Sequence, residues 1–184
     1  MQFFLEWKSW KIFLFIIVAP FGFQSLLMNA LASSTEINNE VVFTVMPLVM
    51  LVFMAIYLLW FWTLGIELNK MVPESDRPKV SRFKFGIKFT AIYMLLFQAF
   101  IVSTANGVSF KLAMPIIFIL HMAAMYFMFY SIFFISKNLV TYENKVSGTT
   151  KSSKGTFFLL WFFPLGIWFL QPRINKIYSA EKSI

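Results

Sequence analysis

Residues 70–88 read KMVPESDRPKVSRFKFGIK, and this stretch decides how the chain is understood. It sets Lys70, Arg77, Lys79, Arg82, Lys84 and Lys88 against only Glu74 and Asp76. Pro73 and Pro78 prevent it from forming one continuous helix. The runs on either side, at residues 41–66 and 85–104, are apolar and long enough to cross a bilayer. Lys and Arg near span ends set orientation, so a short basic loop between two spans is expected in the cytoplasm. Alternation then assigns every other loop to a side.

The composition fits. Of 184 residues, 59% are hydrophobic, 20% aromatic and 13% charged, far from a soluble domain. A single transmembrane bundle over residues 1–184 is expected, with no separate soluble domain. The formal net charge of +8 does not point to nucleic acid, because the basic residues gather at span ends rather than along a soluble face. There they serve topology and anionic headgroups, with Arg77, Lys79, Arg82, Lys84 and Lys88 as the main group. With no cysteine, disulfides, thiolate metal sites and cysteine nucleophiles are excluded.

Outward from the basic loop, the reading is an all-α membrane protein with four transmembrane helices. They cover residues 10–31, 41–66, 85–104 and 112–135. Pro20 and Gly22 predict a kink in the first. That first segment also has the shape of a signal peptide, with an apolar core at residues 12–23 and Ala30-Leu31-Ala32 as a cleavage site; we read it as a retained anchor. Both termini fall on the cytoplasmic side, which then holds every Lys and Arg except Lys111. Residues 141–155 read as a polar tether.

A fifth apolar run, residues 156–171 (TFFLLWFFPLGIWFLQ), reaches only about 24 Å as a straight helix, short of the roughly 30 Å core. Pro164 and Gly166 interrupt it and Pro172 is expected to stop it. It reads as a re-entrant or interfacial segment, with a fifth full crossing as the alternative. Backbone of that kind survives at membrane depth only when covered by protein or facing water.

Several polar residues fall at similar depth in the outer half. Gln24, Gln98 and His121 lie roughly 9–14 Å below the outer surface, with Asn29 and Thr44 above them. Two readings follow: a polar pocket for a ligand or proton, with His121 as its titratable member, or interhelical hydrogen bonding that holds the bundle together. The second is the more economical. Met46, Met50 and Met54 share one face of the second span, and Met122, Met125 and Met128 recur in the fourth. Thioethers suit Cu(I), but Met is also a common gap-filler, so no metal and no cofactor is expected.

Catalytic signatures are missing from the sequence. No pair of carboxylates lies inside the spans, and there is no H-E-x-x-H, Gly-rich phosphate loop or G-x-S-x-G. The expected function is therefore non-enzymatic: an integral membrane protein acting through helix contacts, as an accessory subunit or a self-associating bundle. Alternatives are an oligomeric pore or membrane-perturbing effector, and a small-ligand or proton transporter. The expected partners are the lipid bilayer and another membrane protein or a second copy, with no nucleic acid.

Residues 161–175, WFFPLGIWFLQPRIN, resemble a C-terminal signature of uncharacterised small polytopic membrane proteins of the Bacteroidetes type. Residues 10–15, WKIFLF, are similar to the same group's N-terminus. The resemblance implies a bacterial inner membrane and makes WFFPLGIW a defining structural part. It implies no activity and no residue role.

Overall fold

The computed structural model describes residues 3–32 and 39–182, with side chains for residues 3–30 and 46–180. Among them there is no strand. A short helix α1 (Phe3–Glu6) leads into α2 (Ser9–Phe13), a π-helical turn (Leu14–Val18) and α3 (Ala19–Ala32). Then follow α4 (Asn39–Met71), α5 (Ser81–Ala105), α6 (Met114–Ser147), α7 (Lys154–Trp161) and α8 (Phe163–Lys182), with a single 3-10 turn (Lys111–Ala113) before α6. Four stretches are long and apolar enough to cross a membrane: Ser9–Ala30, Met46–Met71, Ser81–Ala105 and Lys111–Ser147.

Immediately before Pro20, where a kink is expected, the helix widens into the π turn. Pro lacks an N–H and its ring crowds the carbonyl four residues back, which here is Ile16. Widening the turn relieves that crowding, and the Ala19 N–H accordingly bonds Leu14 O, five residues back.

Two helices run further than expected. The fourth span, read as 112–135, continues helically to Ser147, so only residues 148–153 remain as the tether. The reason is an apolar face sustained at helical spacing: Ile135, Leu139 and Tyr142 are all buried. The second span, read as 41–66, is helical to Met71, where Val72-Pro73 ends it.

The 156–171 segment is two helices rather than one. The chain breaks at Phe162, and Pro164 sits in the first turn of α8, where a missing N–H costs nothing. α7 and α8 fold back on each other so closely that a β-carbon on Gly166 would overlap the Leu159 carbonyl. Thr156 at the start of α7 and Arg173 in α8 lie side by side, with 3.2 Å between Thr156 Oγ1 and Arg173 Nη2. The hairpin's two arms thus return to one level. Pro172 does not stop α8, which runs on to Lys182. The exposed Pro172 ring faces outward, while Ile174, Ile177 and Tyr178 beyond it are buried in the core.

α4, α5 and α6 pack on one another; the first span rests on α4 and, at its start, on α8. The packing is uneven along the bundle. Trp60, Phe61, Leu64 and Leu68 of α4 meet Phe83 of α5, Ile135 and Leu139 of α6, and Ile167 of α8 in one core at the basic end. Phe83 lies flat on Phe134 at 4.7 Å and its ring edge fills the space above Gly65, where any β-carbon would collide. Toward the other end the contacts thin out: α5 buries nothing beyond Tyr93, and α6 buries nothing before Ala124. Lipid is as apolar as Leu, so this association rests on close packing and hydrogen bonds rather than on water exclusion.

Candidate functional site

Two constellations stand out. The first ties together the basic end, and the reason begins with α1. A four-residue helix is too short to be stable alone and leaves its last carbonyls without donors. Those donors come from α8. Gln171 Nε2 donates to Phe4 O at 2.7 Å and Trp7 O at 3.0 Å, and Asn175 Nδ2 donates to Trp7 O at 3.1 Å. Gln171 and Asn175 are one helical turn apart, and Asn175 Oδ1 lies 2.8 Å from the same Nε2, so its two hydrogens are shared among three acceptors. The Gln171 side chain is fully buried, so its amide is oriented by these carbonyls.

The same end carries a second link. Asn69 Nδ2 donates to Pro78 O at 3.1 Å and reaches Asn138 Oδ1 at 3.4 Å, joining α4, the basic loop and α6. A third joins α6 to the hairpin: Arg173 grips Glu143 with a two-pronged bond, Nε to Oε1 at 2.8 Å and Nη2 to Oε2 at 2.6 Å. In the basic loop, the exposed Arg77 directs two of its donors to backbone carbonyls. It donates to Val72 O and Lys70 O, both at 2.9 Å, capping the end of α4. Arg82 lies 5.7 Å from the Tyr130 ring centre, a cation–π contact. Lys79, Lys84 and Lys88 are exposed.

The second constellation lies between α5 and α6. His121 Nδ1 and the Tyr93 hydroxyl are 2.9 Å apart, and the Phe97 ring lies 5.7 Å from the imidazole. Beside them is a cavity of about 190 Å³ lined by Thr90, Tyr93, Met94, His121, Ala124, Met125, Met128 and Phe129. Three thioethers and the chain's sole imidazole share this space.

Of the polar residues singled out from the sequence, the structure places His121 against Tyr93, which was not among them. Gln98 is half-exposed on α5, and Gln24 is half-exposed on α3, whose main neighbour is α4. Asn29 is exposed, and the Thr44 side chain lies outside the described residues. The buried hydrogen-bonding residues that sequence reasoning passed over include Asn69, Asn138 and Gln171, together with the partly buried Asn175 and the Glu143–Arg173 pair. Gln171 and Asn175 carried a usable signal: two amides four apart on one apolar helix.

Between the first span and α4 there is a wholly apolar cleft of about 540 Å³. It is lined by Phe15, Ala19, Pro20, Phe23 and Leu27 on one side and Leu48, Val49, Val52 and Ile56 on the other. Comparison of the chain with protein-family models, with curated proteins and with solved structures finds no match in any of the three.

Proposed function

We propose that this chain is a non-enzymatic, multi-pass membrane protein that works through helix contacts, as an accessory subunit of a larger complex or as a self-associating bundle. The observation that carries the reading is the uneven packing. Hydrogen bonds from α1, α4, α6, α7 and α8 fix the basic end, whereas the opposite half of the first span leans on α4 across an open apolar cleft. A rigid base with an unfilled lateral cleft suits a protein that receives a partner's transmembrane helix. Small, non-polar contact surfaces at membrane depth associate by van der Waals fit.

The membrane is a bacterial inner membrane in this reading, with both termini and the 72–80 loop on the cytoplasmic side. α7–α8 enters from that side and returns to it. The contact between Thr156 and Arg173 supports this, because a crossing segment would separate its ends by the bilayer thickness. A conduit through one chain has no room, because Trp60, Phe61, Leu64, Phe83 and Ile135 fill the interior of the basic half; the oligomeric pore would have to be lined between copies.

The test is purification in mild detergent at native expression level, with mass spectrometry of what co-elutes and the native mass of the particle. A stoichiometric membrane partner or a discrete homo-oligomer is expected. A particle of one chain with no partner overturns the proposal.

A further inference from the structure

We propose that the cavity between the end of α6 and α8 is a binding site for one anionic phospholipid, its phosphate held by Lys151, Arg173 and Lys176. The cavity has a volume of about 310 Å³ and lies where the 148–153 loop leaves α6. The site rests on the reading of this end of the bundle as a membrane interface.

From the sequence alone these cations belong to a polar tether and a charged tail, which a solvated surface explains. The structure adds their convergence. Lys151 comes from the loop, Arg173 and Lys176 come from one face of α8, and all three line one space with a single carboxylate, Glu143. Three cations against one carboxylate leave that lining with a net charge of +2. The carboxylate is already neutralised, because both its oxygens accept from Arg173, Oε1 from Nε at 2.8 Å and Oε2 from Nη2 at 2.6 Å. Nη2 also donates to Thr156 Oγ1 at 3.2 Å. The guanidinium is thus fixed in place with the two hydrogens of Nη1 unspent. Among the described residues neither Lys151 nor Lys176 has an ion-pair partner.

Lys151 is not on a loose tether. Asn144, in the last turn of α6, clamps it at both backbone groups: Oδ1 accepts from Lys151 N–H at 2.9 Å, and Nδ2 donates to Lys151 O at 2.9 Å. The Thr149 hydroxyl donates to the same Oδ1 at 3.1 Å. Gly148 permits the reversal, with a φ of 62° in the left-handed region. The third cation is therefore placed by the fold, as Arg173 is.

Two observations select a lipid over a soluble phosphate. One wall of the cavity is apolar, formed by Tyr142, Val146 and Ile177. Val146 is 67% exposed there, and a phosphate ion leaves it in water whereas a glycerol ester covers it. Depth agrees. Arg173 follows the apolar 156–171 run by two residues and touches Thr156 at its start, so the cations stand at the base of the hairpin, at headgroup level. Basic pockets between helices at that level bind anionic headgroups. A zwitterionic headgroup brings an ammonium beside Lys151 and Lys176 and is disfavoured.

The experiment is native mass spectrometry of the full chain in detergent, delipidated and then titrated with phosphatidylglycerol or with phosphatidylethanolamine of the same acyl chains. One phosphatidylglycerol per chain is expected, at concentrations where phosphatidylethanolamine is not retained. Lys151→Gln/Lys176→Gln should weaken retention roughly 30-fold, from the loss of two cations beside a headgroup. Lys79→Gln/Lys84→Gln removes the same charge from exposed side chains outside the cavity and should leave retention as in the wild type. All four lysines are exposed, so both variants keep the fold, which elution as the wild-type particle verifies. Absence of retained phosphatidylglycerol overturns the proposal, and so does equal retention of phosphatidylethanolamine. Unchanged retention in the cavity pair, or an equal loss in the loop pair, also overturns it. Displacement of the lipid by millimolar inorganic phosphate would make this a site for a soluble phosphate instead. A particle of one chain that keeps its phosphatidylglycerol sinks the helix-contact reading and leaves this site standing; a partnered particle that keeps none does the reverse.

Discussion

Gln171→Leu isolates what holds the N-terminus in place. The substitution places an apolar side chain of similar volume in a fully buried position and removes the Nε2 donor. Phe4 O then loses its side-chain donor, and Trp7 O keeps only Asn175. Leaving a buried acceptor unpaired costs about 1–3 kcal/mol. At about 1.4 kcal/mol per tenfold, the undocked population of α1 should rise roughly 5- to 150-fold. Phe4 and Leu5 of α1 share the core of Trp60, Phe83 and Ile135, so undocking α1 also withdraws two apolar side chains from it. Trypsin cleavage after the exposed Lys8 provides the readout, because cleavage of a transiently open segment follows the open population when reclosing is fast. Cleavage at Lys8 should accelerate by that factor. Gln171→Glu should be worse than Gln171→Leu, because a carboxylate turns further acceptors toward two carbonyls. Equal cleavage rates for wild type and Gln171→Leu would refute the reasoning, and so would a Gln171→Glu that behaves like wild type.

Gly166→Ala forces a β-carbon into the Leu159 carbonyl, and overpacking of this kind costs about 1–3 kcal/mol; the melting temperature in detergent should fall, and an unchanged value rejects the close hairpin. Arg173→Met should destabilise more than the double change Glu143→Gln/Arg173→Met, because the single change strands a carboxylate that is only 14% exposed; a double-mutant cycle with no coupling argues against the pair. Single cysteines introduced at Ser75, Ser109, Ser152 and Ser179 of this cysteine-free chain test the topology. An impermeant maleimide should label Ser75→Cys, Ser152→Cys and Ser179→Cys from one face and Ser109→Cys from the other. Labelling of Ser179→Cys from the face opposite Ser152→Cys would make residues 156–171 a crossing rather than a hairpin.

The long helices were legible because length and apolarity are properties of single segments. Residues 41–66 and 85–104 announce themselves without reference to anything else. The ends were harder to place. Lys137 and Thr141 look like the edge of a membrane span, yet α6 continues past both, because Leu139 and Tyr142 are buried in a core shared with Leu68 of α4 and Ile174 and Ile177 of α8. Pro172 misleads for the same reason. A proline inside a helix costs about 3 kcal/mol locally, and only the tertiary contacts of Ile174, Asn175 and Tyr178 make continuation the better state. A local rule cannot see a partner that distant in the chain.

Depth leaves more open than length does. Gln24, Gln98 and His121 read at a similar height from the sequence, but height is one coordinate of three. Rotation about each helix decides which residues meet, and the apolar faces of α3 and α5 are too uniform for the pattern to fix that rotation. His121 faces Tyr93 instead. Its neighbour is a residue counted as aromatic packing, because a tyrosine in an apolar run gives no sign that its hydroxyl is the working part. Gln171 makes the complementary point. Its position near the end of an apolar run looks like a boundary marker, whereas its amide supplies donors that α1 lacks. In a membrane bundle with so few polar side chains, each buried one is costly unless it satisfies another group. The question that finds them is which orphan carbonyl or imidazole nitrogen each amide and hydroxyl answers. Asked of α1, that question leads to Gln171 and Asn175. Asked of His121, it leads to Tyr93.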